Sequence, residues 1–124
     1  MWASVLVLVA GLMGAAGLAM LAAAAHIGGG DLARTGGTIL LVHAVAVLAT
    51  AAPACNAGTV PRGALAAATL LALGTALFGT DLGFAAFLGA RPVPLAAPLG
   101  GMAMIAGWLL LAATAAVQLM RRNH

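Results

Sequence analysis

Four long apolar runs alternate along the chain with short segments that carry glycine, proline and every charged side chain except Asp81. An apolar run of about 20 residues is long enough to cross the hydrocarbon core of a bilayer as a helix. The pattern therefore predicts helices over residues 3–25, 36–54, 63–90 and 99–120. Because short connections place sequential helices side by side, we expect an all-α integral membrane protein, an antiparallel four-helix transmembrane bundle forming a single domain over residues 1–124.

Residues that interrupt helices define the predicted connections. The segment 26–37 holds five glycines, 56–62 holds a glycine and a proline, and 91–98 holds three prolines. Pro53 is expected to end or kink the second helix, because proline cannot donate the backbone hydrogen bond. A continuation of that helix toward Cys55 is the alternative.

The first apolar run also has a rival interpretation as a cleaved signal peptide. It lacks a basic n-region, and its apolar part is much longer than the usual stretch of about 7–15 residues. We therefore predict a retained first helix.

Small residues recur at helical spacing in this run and in later ones. Such ridges let a neighbouring helix approach closely, which drives association where lipid has removed the hydrophobic force. A general bias toward alanine and glycine would give the same pattern. The residues predicted to serve helix packing are Gly11, Ala15, Ala19, Gly79, Gly83, Gly100, Gly107 and Trp108.

The composition agrees with a bilayer environment. The chain is 65% hydrophobic and 6% charged, against about 45–50% and about 25% in ordinary globular proteins. Its net charge of +3 comes from five arginines and two aspartates, and no basic patch of the size that grips phosphates is present, so we expect membrane lipids and no nucleic acid as partners. The single cysteine, Cys55, excludes an internal disulfide and a multi-cysteine metal cluster.

The arginines give a prediction of orientation. Arg62, Arg121 and Arg122 share one side of the membrane with the N-terminus, whereas Arg34 and Arg91 share the other. Positively charged residues are more frequent in cytoplasmic loops. The excess of three over two predicts that both termini are cytoplasmic.

Three polar residues near one membrane surface form a candidate intramembrane cluster, His26, His43 and Asp81. At 1.5 Å per residue, His43 and Asp81 lie about 10 and 13 Å below that surface on consecutive helices. An ionised aspartate near a helix centre costs about 2.5–3.5 kcal/mol, so it should face the bundle interior and find a partner. His43 is the nearest one that the sequence offers.

This pair has a structural interpretation and a functional one. As a structural hydrogen bond between helices it would contribute about 0.6–2 kcal/mol. As a functional group it could relay protons or bind a cation or a polar headgroup, and the two residues could also fail to meet. Adding His26 gives a set of metal-ligand types, but three residues from three helices, without an HxxxH spacing, lead us to predict no metal or cofactor site.

Other chemistry finds little support in the sequence. No G-x-S-x-G, no P-loop and no G-x-G-x-x-G opening a helix after a strand is present, and no nucleophile stands at a recognisable spacing from a base. We therefore expect a protein that is not an enzyme.

Trp2 fits an interfacial anchor, whereas Trp108 lies near the middle of the fourth helix, where its indole N–H should seek an interhelical acceptor or face a partner protein.

Four segments carry a resemblance to a known family: AMLAAAAHIGG at 19–29, TGGTILLVHAVAVL at 35–48, ALFGTDLGFAAFLG at 76–89 and PLGGMAMIAGWLLLA at 98–112. They resemble the domain of unknown function 423 family, related to transmembrane protein 256. The family's histidines match His26 and His43, whereas a serine often stands in the family where this chain has Asp81. The resemblance implies a small four-helix protein of the bacterial inner membrane or the mitochondrion, and here we expect the bacterial inner (plasma) membrane.

Together these observations predict a small integral membrane protein of unknown activity. We expect a structural or accessory subunit that associates with itself or with a larger membrane complex. The alternative is an oligomeric transporter or ligand-binding module in which His26, His43 and Asp81 line a cavity.

Overall fold

The computed structural model describes residues 1–57 and 60–122, which form four α-helices. These are α1 (Trp2–His26), α2 (Gly30–Ala57), α3 (Arg62–Leu88) and α4 (Ala96–Arg122). All four are long and apolar enough to cross a membrane, and the described residues contain no strand. The predicted all-α four-helix fold is confirmed, and the chain is a small multi-pass membrane protein.

The first connection is much shorter than the predicted turn over residues 26–37, which is therefore wrong. Only residues 27–29 separate α1 from α2. Gly28 and Gly29 have φ values of +143° and +90°, which glycine adopts without the steric cost of a Cβ. Gly36 and Gly37 instead lie inside α2, where they are buried. Glycine in a transmembrane helix allows close helix contact, so these two glycines do not mark a turn.

The other helix ends differ from prediction by a few residues. The helix α2 continues through Pro53 to Ala57, as the alternative interpretation allowed. The helix α4 begins at Ala96, three residues before the predicted start, and holds Pro98 in its first turn. Proline is tolerated there because the first N–H groups of a helix have no partner within it.

Two parts of the predicted boundaries lie outside the described residues. The predicted connection over residues 56–62 includes Gly58 and Thr59, and the predicted closing segment of the fourth helix includes Asn123 and His124.

Glycine pairs set the distance between neighbouring helices. A Cβ on Gly17 of α1 would lie 2.9 Å from the Gly37 carbonyl oxygen of α2, and a Cβ on Gly37 would lie 2.8 Å from the Gly17 carbonyl oxygen. Gly74 of α3 and Gly100 of α4 have the same reciprocal relation, at 2.7 and 2.6 Å. Contacts of this kind bring helix backbones together and are a main source of association in membranes.

The contacts between α2 and α3 show that these helices run antiparallel. Gly36 of α2 packs on Leu82, and Gly79 of α3 packs on Leu40, so residue numbers rise along one helix as they fall along the other. Buried apolar residues of all four helices form a common core along this line.

The helices are not equally enclosed. The helix α1 touches α3 as well as α2, and the Trp2 indole Nε1 donates a hydrogen bond of 3.0 Å to Thr69 Oγ1 of α3. Over the described residues, the backbone of α4 lies close to that of α3 and to no other helix. One side of α4 is therefore left to the membrane.

Candidate functional site in the bundle interior

Asp81 lies inside the bundle and is bonded to an arginine. It is seven residues before the end of α3, or about 10 Å along the helix axis, and only 2% of its side chain is exposed. Arg91 stands three residues beyond the helix end, in the connection to α4, and its Nη1 donates to Asp81 Oδ2 over 2.7 Å. This is a charge-assisted hydrogen bond, the stronger kind.

The predicted pair of Asp81 and His43 is not formed, because the antiparallel packing of α2 on α3 places His43 about six residues along α3 from Asp81, where Asp81 is bonded to Arg91 instead. The Arg91 side chain is 53% exposed, and its guanidinium reaches back from the connection to the buried Asp81 carboxylate. The sequence placed Arg91 and Asp81 on the same side of the membrane. What it did not show is that a connecting segment can fold an arginine back over the end of its own helix.

His43 makes two hydrogen bonds that fix its protonation. Its Nδ1 lies 3.0 Å from the Ile39 carbonyl oxygen, one turn earlier in α2, and its Nε2 lies 3.3 Å from the Trp108 indole Nε1. A carbonyl oxygen only accepts, so Nδ1 carries the hydrogen. An indole N–H only donates, so Nε2 is bare. The imidazole is therefore neutral, and both of its nitrogens are occupied.

Trp108 joins α4 to α2 across the bundle. The ring centroids of Trp108 and His43 are 6.1 Å apart, with an interplanar angle of 66°, an edge-to-face arrangement. The indole N–H thus has an acceptor on another helix, as predicted from its position in the middle of α4. The two side chains bridge the gap, because the backbones of α2 and α4 do not approach one another. Trp108 is 44% exposed, so the other edge of the ring faces out of the bundle.

The three residues of the predicted polar cluster occupy three separate places. His26 is exposed at the end of α1, whereas His43 and Asp81 are buried with different partners. Within residues 1–57 and 60–122, no three His, Cys, Asp or Glu side chains lie close enough together to hold a metal ion. The structure therefore does not bring this cluster together.

Thr75 of α3 is a polar residue of the interior that sequence reasoning missed. Its side chain is fully buried, and its Oγ1 has no hydrogen-bond partner. Its place follows from the packing of α2 on α3, because the antiparallel pairing of Leu40 with Gly79 continues one turn further to place Thr75 level with His43. By contrast, the hydroxyls of four other threonines each donate to the carbonyl oxygen four residues earlier in the helix. These are Thr38, Thr50, Thr69 and Thr114.

The glycines and alanines predicted to serve helix packing do not all face a neighbouring helix. Gly79, Gly100 and Gly107 face neighbouring helices, and a Cβ on any of them would lie 3.0 Å or less from another helix. Gly83 is looser, with its nearest neighbour at 3.9 Å. The three small residues of α1 face outward instead: Gly11, Ala15 and Ala19 are exposed, and nothing lies within 4 Å of a Cβ on Gly11.

The interior arrangement is chemically suited to holding helices together. Asp81 is paired with Arg91, and both nitrogens of His43 make hydrogen bonds within the chain. Buried polar groups in a membrane are stable when they are paired in this way.

Comparison with protein-family models, with curated proteins and with solved structures finds no match. The resemblance to the domain of unknown function 423 family therefore stays a prediction.

Proposed function

We propose that this protein is a structural or accessory membrane subunit, without enzymatic activity, that associates laterally with a second copy or with a larger membrane complex. The outward position of Gly11, Ala15 and Ala19 on α1 is the observation that carries the proposal. Small residues every four positions are the usual surface for close helix contact in membranes. Within this chain, α1 instead contacts α2 through Gly17, so the outward surface stays available.

The interior polar residues support the same proposal. A transporter or a proton relay needs titratable groups that can exchange their partners, whereas His43 and Asp81 are each held by groups of the same chain. The His43 bond connects α2 with α4. The Asp81 bond connects α3 with the segment that leads to α4.

We further propose that the protein belongs to the domain of unknown function 423 family and lies in the bacterial inner membrane, with both termini in the cytoplasm. The matched histidines His26 and His43 support the family, and Arg62, Arg121 and Arg122 at the end that carries the N-terminus support the orientation.

Disulfide crosslinking in native membranes tests the association. Replacing Cys55, the only cysteine, by serine gives a cysteine-free chain into which Ala15→Cys is introduced. We expect oxidation to give a crosslinked dimer, or an adduct with a partner protein, because a disulfide needs Cα atoms within about 7 Å.

Val45→Cys in the same cysteine-free chain is the matched control. Val45 is exposed on α2, and its depth is similar because the neighbouring Ala44 lies against Gly14 of α1. A yield at Ala15 several-fold above that at Val45 is the expected result. Equal yields at both positions, or no crosslink at Ala15, would mean that the small-residue surface of α1 has no protein partner.

A further inference from the structure

The charged side chains are distributed unequally between the two ends of the bundle. Both acidic residues lie toward the end that contains the first and third connections, and each is paired there: Asp31 with Arg34 at 3.5 Å, and Asp81 with Arg91 at 2.7 Å. The other three arginines, Arg62, Arg121 and Arg122, lie at the opposite end, where the sequence places no aspartate or glutamate. That end is therefore strongly cationic.

At this end, a cleft of about 560 Å³ opens between the start of α3 and the last turns of α4. It forms because α4 passes α3 at the contact of Thr114 with Gly63 and then continues beyond it. By helical rise, Gln118 and Arg122 lie about 6 and 12 Å past that contact. The residues that line the cleft are Val60, Pro61, Gln118, Arg121 and Arg122.

The position of Trp2 indicates on which side of the membrane surface the cleft lies. Trp2, at the same end of the bundle, bonds Thr69 of α3, and tryptophan side chains near helix ends mark the membrane–water interface. Arg62 is seven residues from Thr69, about 10 Å further out along α3. The cleft, which begins beside Arg62 at Pro61, is therefore outside the hydrocarbon core, on the polar side of the membrane surface.

We propose that this cleft binds the phosphate of an anionic phospholipid. Guanidinium groups present paired N–H donors that match phosphate oxygens, the Gln118 amide adds a further donor, and basic pockets between transmembrane helices are known sites for anionic headgroups. Val60 and Pro61 give the cleft an apolar wall on the side of the connection to α3. Three arginines are too few for a nucleic acid, and the position at the bilayer surface makes lipid the partner.

Arg121 and Arg122 also lie in the last turn of α4, where cations stabilise the negative end of a helix dipole. That interaction needs no ligand, and it predicts no preference among lipids. Lipid selectivity is thus the property that separates the two explanations.

The test compares phosphatidylglycerol with phosphatidylcholine in binding to the purified full-length chain, by native mass spectrometry from mixed micelles of defined composition. We expect a preference for phosphatidylglycerol. Arg121→Gln and Arg122→Gln should each reduce it roughly five-fold, since a cationic side chain near a membrane surface contributes about 1 kcal/mol toward anionic lipid. Both arginines are exposed, so helicity by circular dichroism should be unchanged.

Arg34→Gln is the matched control, because it removes one exposed arginine from the other end. The preference of this variant for phosphatidylglycerol over phosphatidylcholine should stay within about two-fold of the preference of the unaltered chain. Equal binding of the two lipids, or an equal loss in Arg34→Gln, would overturn the proposal. Displacement of phosphatidylglycerol by millimolar inorganic phosphate would also overturn it, because the cleft would then be a site for free anions.

Discussion

Gly100→Ala should loosen α4 from α3 and lower the free energy of unfolding by about 1–3 kcal/mol. The added Cβ would lie 2.6 Å from the Gly74 carbonyl oxygen and 2.8 Å from the Phe78 backbone nitrogen. These are backbone atoms of a packed helix, so they cannot move aside as a flexible side chain would. The measurement is unfolding of the purified chain in mixed micelles by increasing dodecyl sulfate, followed by circular dichroism.

Gly101→Ala is the matched control for this prediction, one residue further along the same helix. Nothing lies within 4 Å of a Cβ on Gly101, and alanine is favoured over glycine in a helix by about 1 kcal/mol. The two substitutions should therefore change the stability in opposite directions. Equal effects would show that α4 is not held against α3 at Gly100.

Arg91→Gln should be the most damaging change to a charged residue. It leaves the Asp81 carboxylate inside the bundle, 2% exposed, without its counter-charge. Removing one partner of a buried ion pair costs about 3–5 kcal/mol. We expect a loss toward the lower end of that range, because Arg91 itself is half-exposed and water can reach its place. The same unfolding experiment gives the value.

Two further variants complete this test. Adding Asp81→Asn to Arg91→Gln removes the uncompensated charge and should restore a large part of the lost stability. Arg34→Gln breaks the exposed pair with Asp31 and should have little effect, as surface pairs do. If Arg91→Gln unfolds as the Arg34→Gln variant does, the Asp81–Arg91 bond does not stabilise the bundle.

The apolar runs predicted the fold because the bilayer imposes it. A backbone in hydrocarbon must satisfy its own hydrogen bonds, so each run of about 20 apolar residues becomes a helix. The connections were harder to predict, since glycine occurs both in turns and in tight helix contacts. Gly28 and Gly29 serve the first purpose, with positive φ values, and Gly37 serves the second, against Gly17.

The interior site could be predicted residue by residue, but not as pairs. His43, Asp81 and Trp108 stand out in the sequence because polar or indole groups in a membrane need partners. Which residue bonds which depends on the rotation of each helix about its axis and on the path of a connection, and hydropathy fixes neither. Trp108 therefore reaches His43, and Arg91 folds back to Asp81.

The outward surface of α1 shows the same limit. The spacing of Gly11, Ala15 and Ala19 predicts a surface for close packing, and periodicity alone does not tell whether the partner belongs to the same chain. The structure places this surface outward, where no described residue of the chain covers Gly11.

Asp81 and His43 are each bonded within the chain, and His43 accepts a hydrogen bond from Trp108. NMR of the ring nitrogens of labelled histidine tests it directly, in a chain where His26→Gln and His124→Gln leave His43 alone. We predict a neutral ring with the proton on Nδ1, and a shift of the Nε2 resonance when Trp108→Phe removes the indole donor. A proton on Nε2, or on both nitrogens, as a bond to the Asp81 carboxylate would require, would contradict the account.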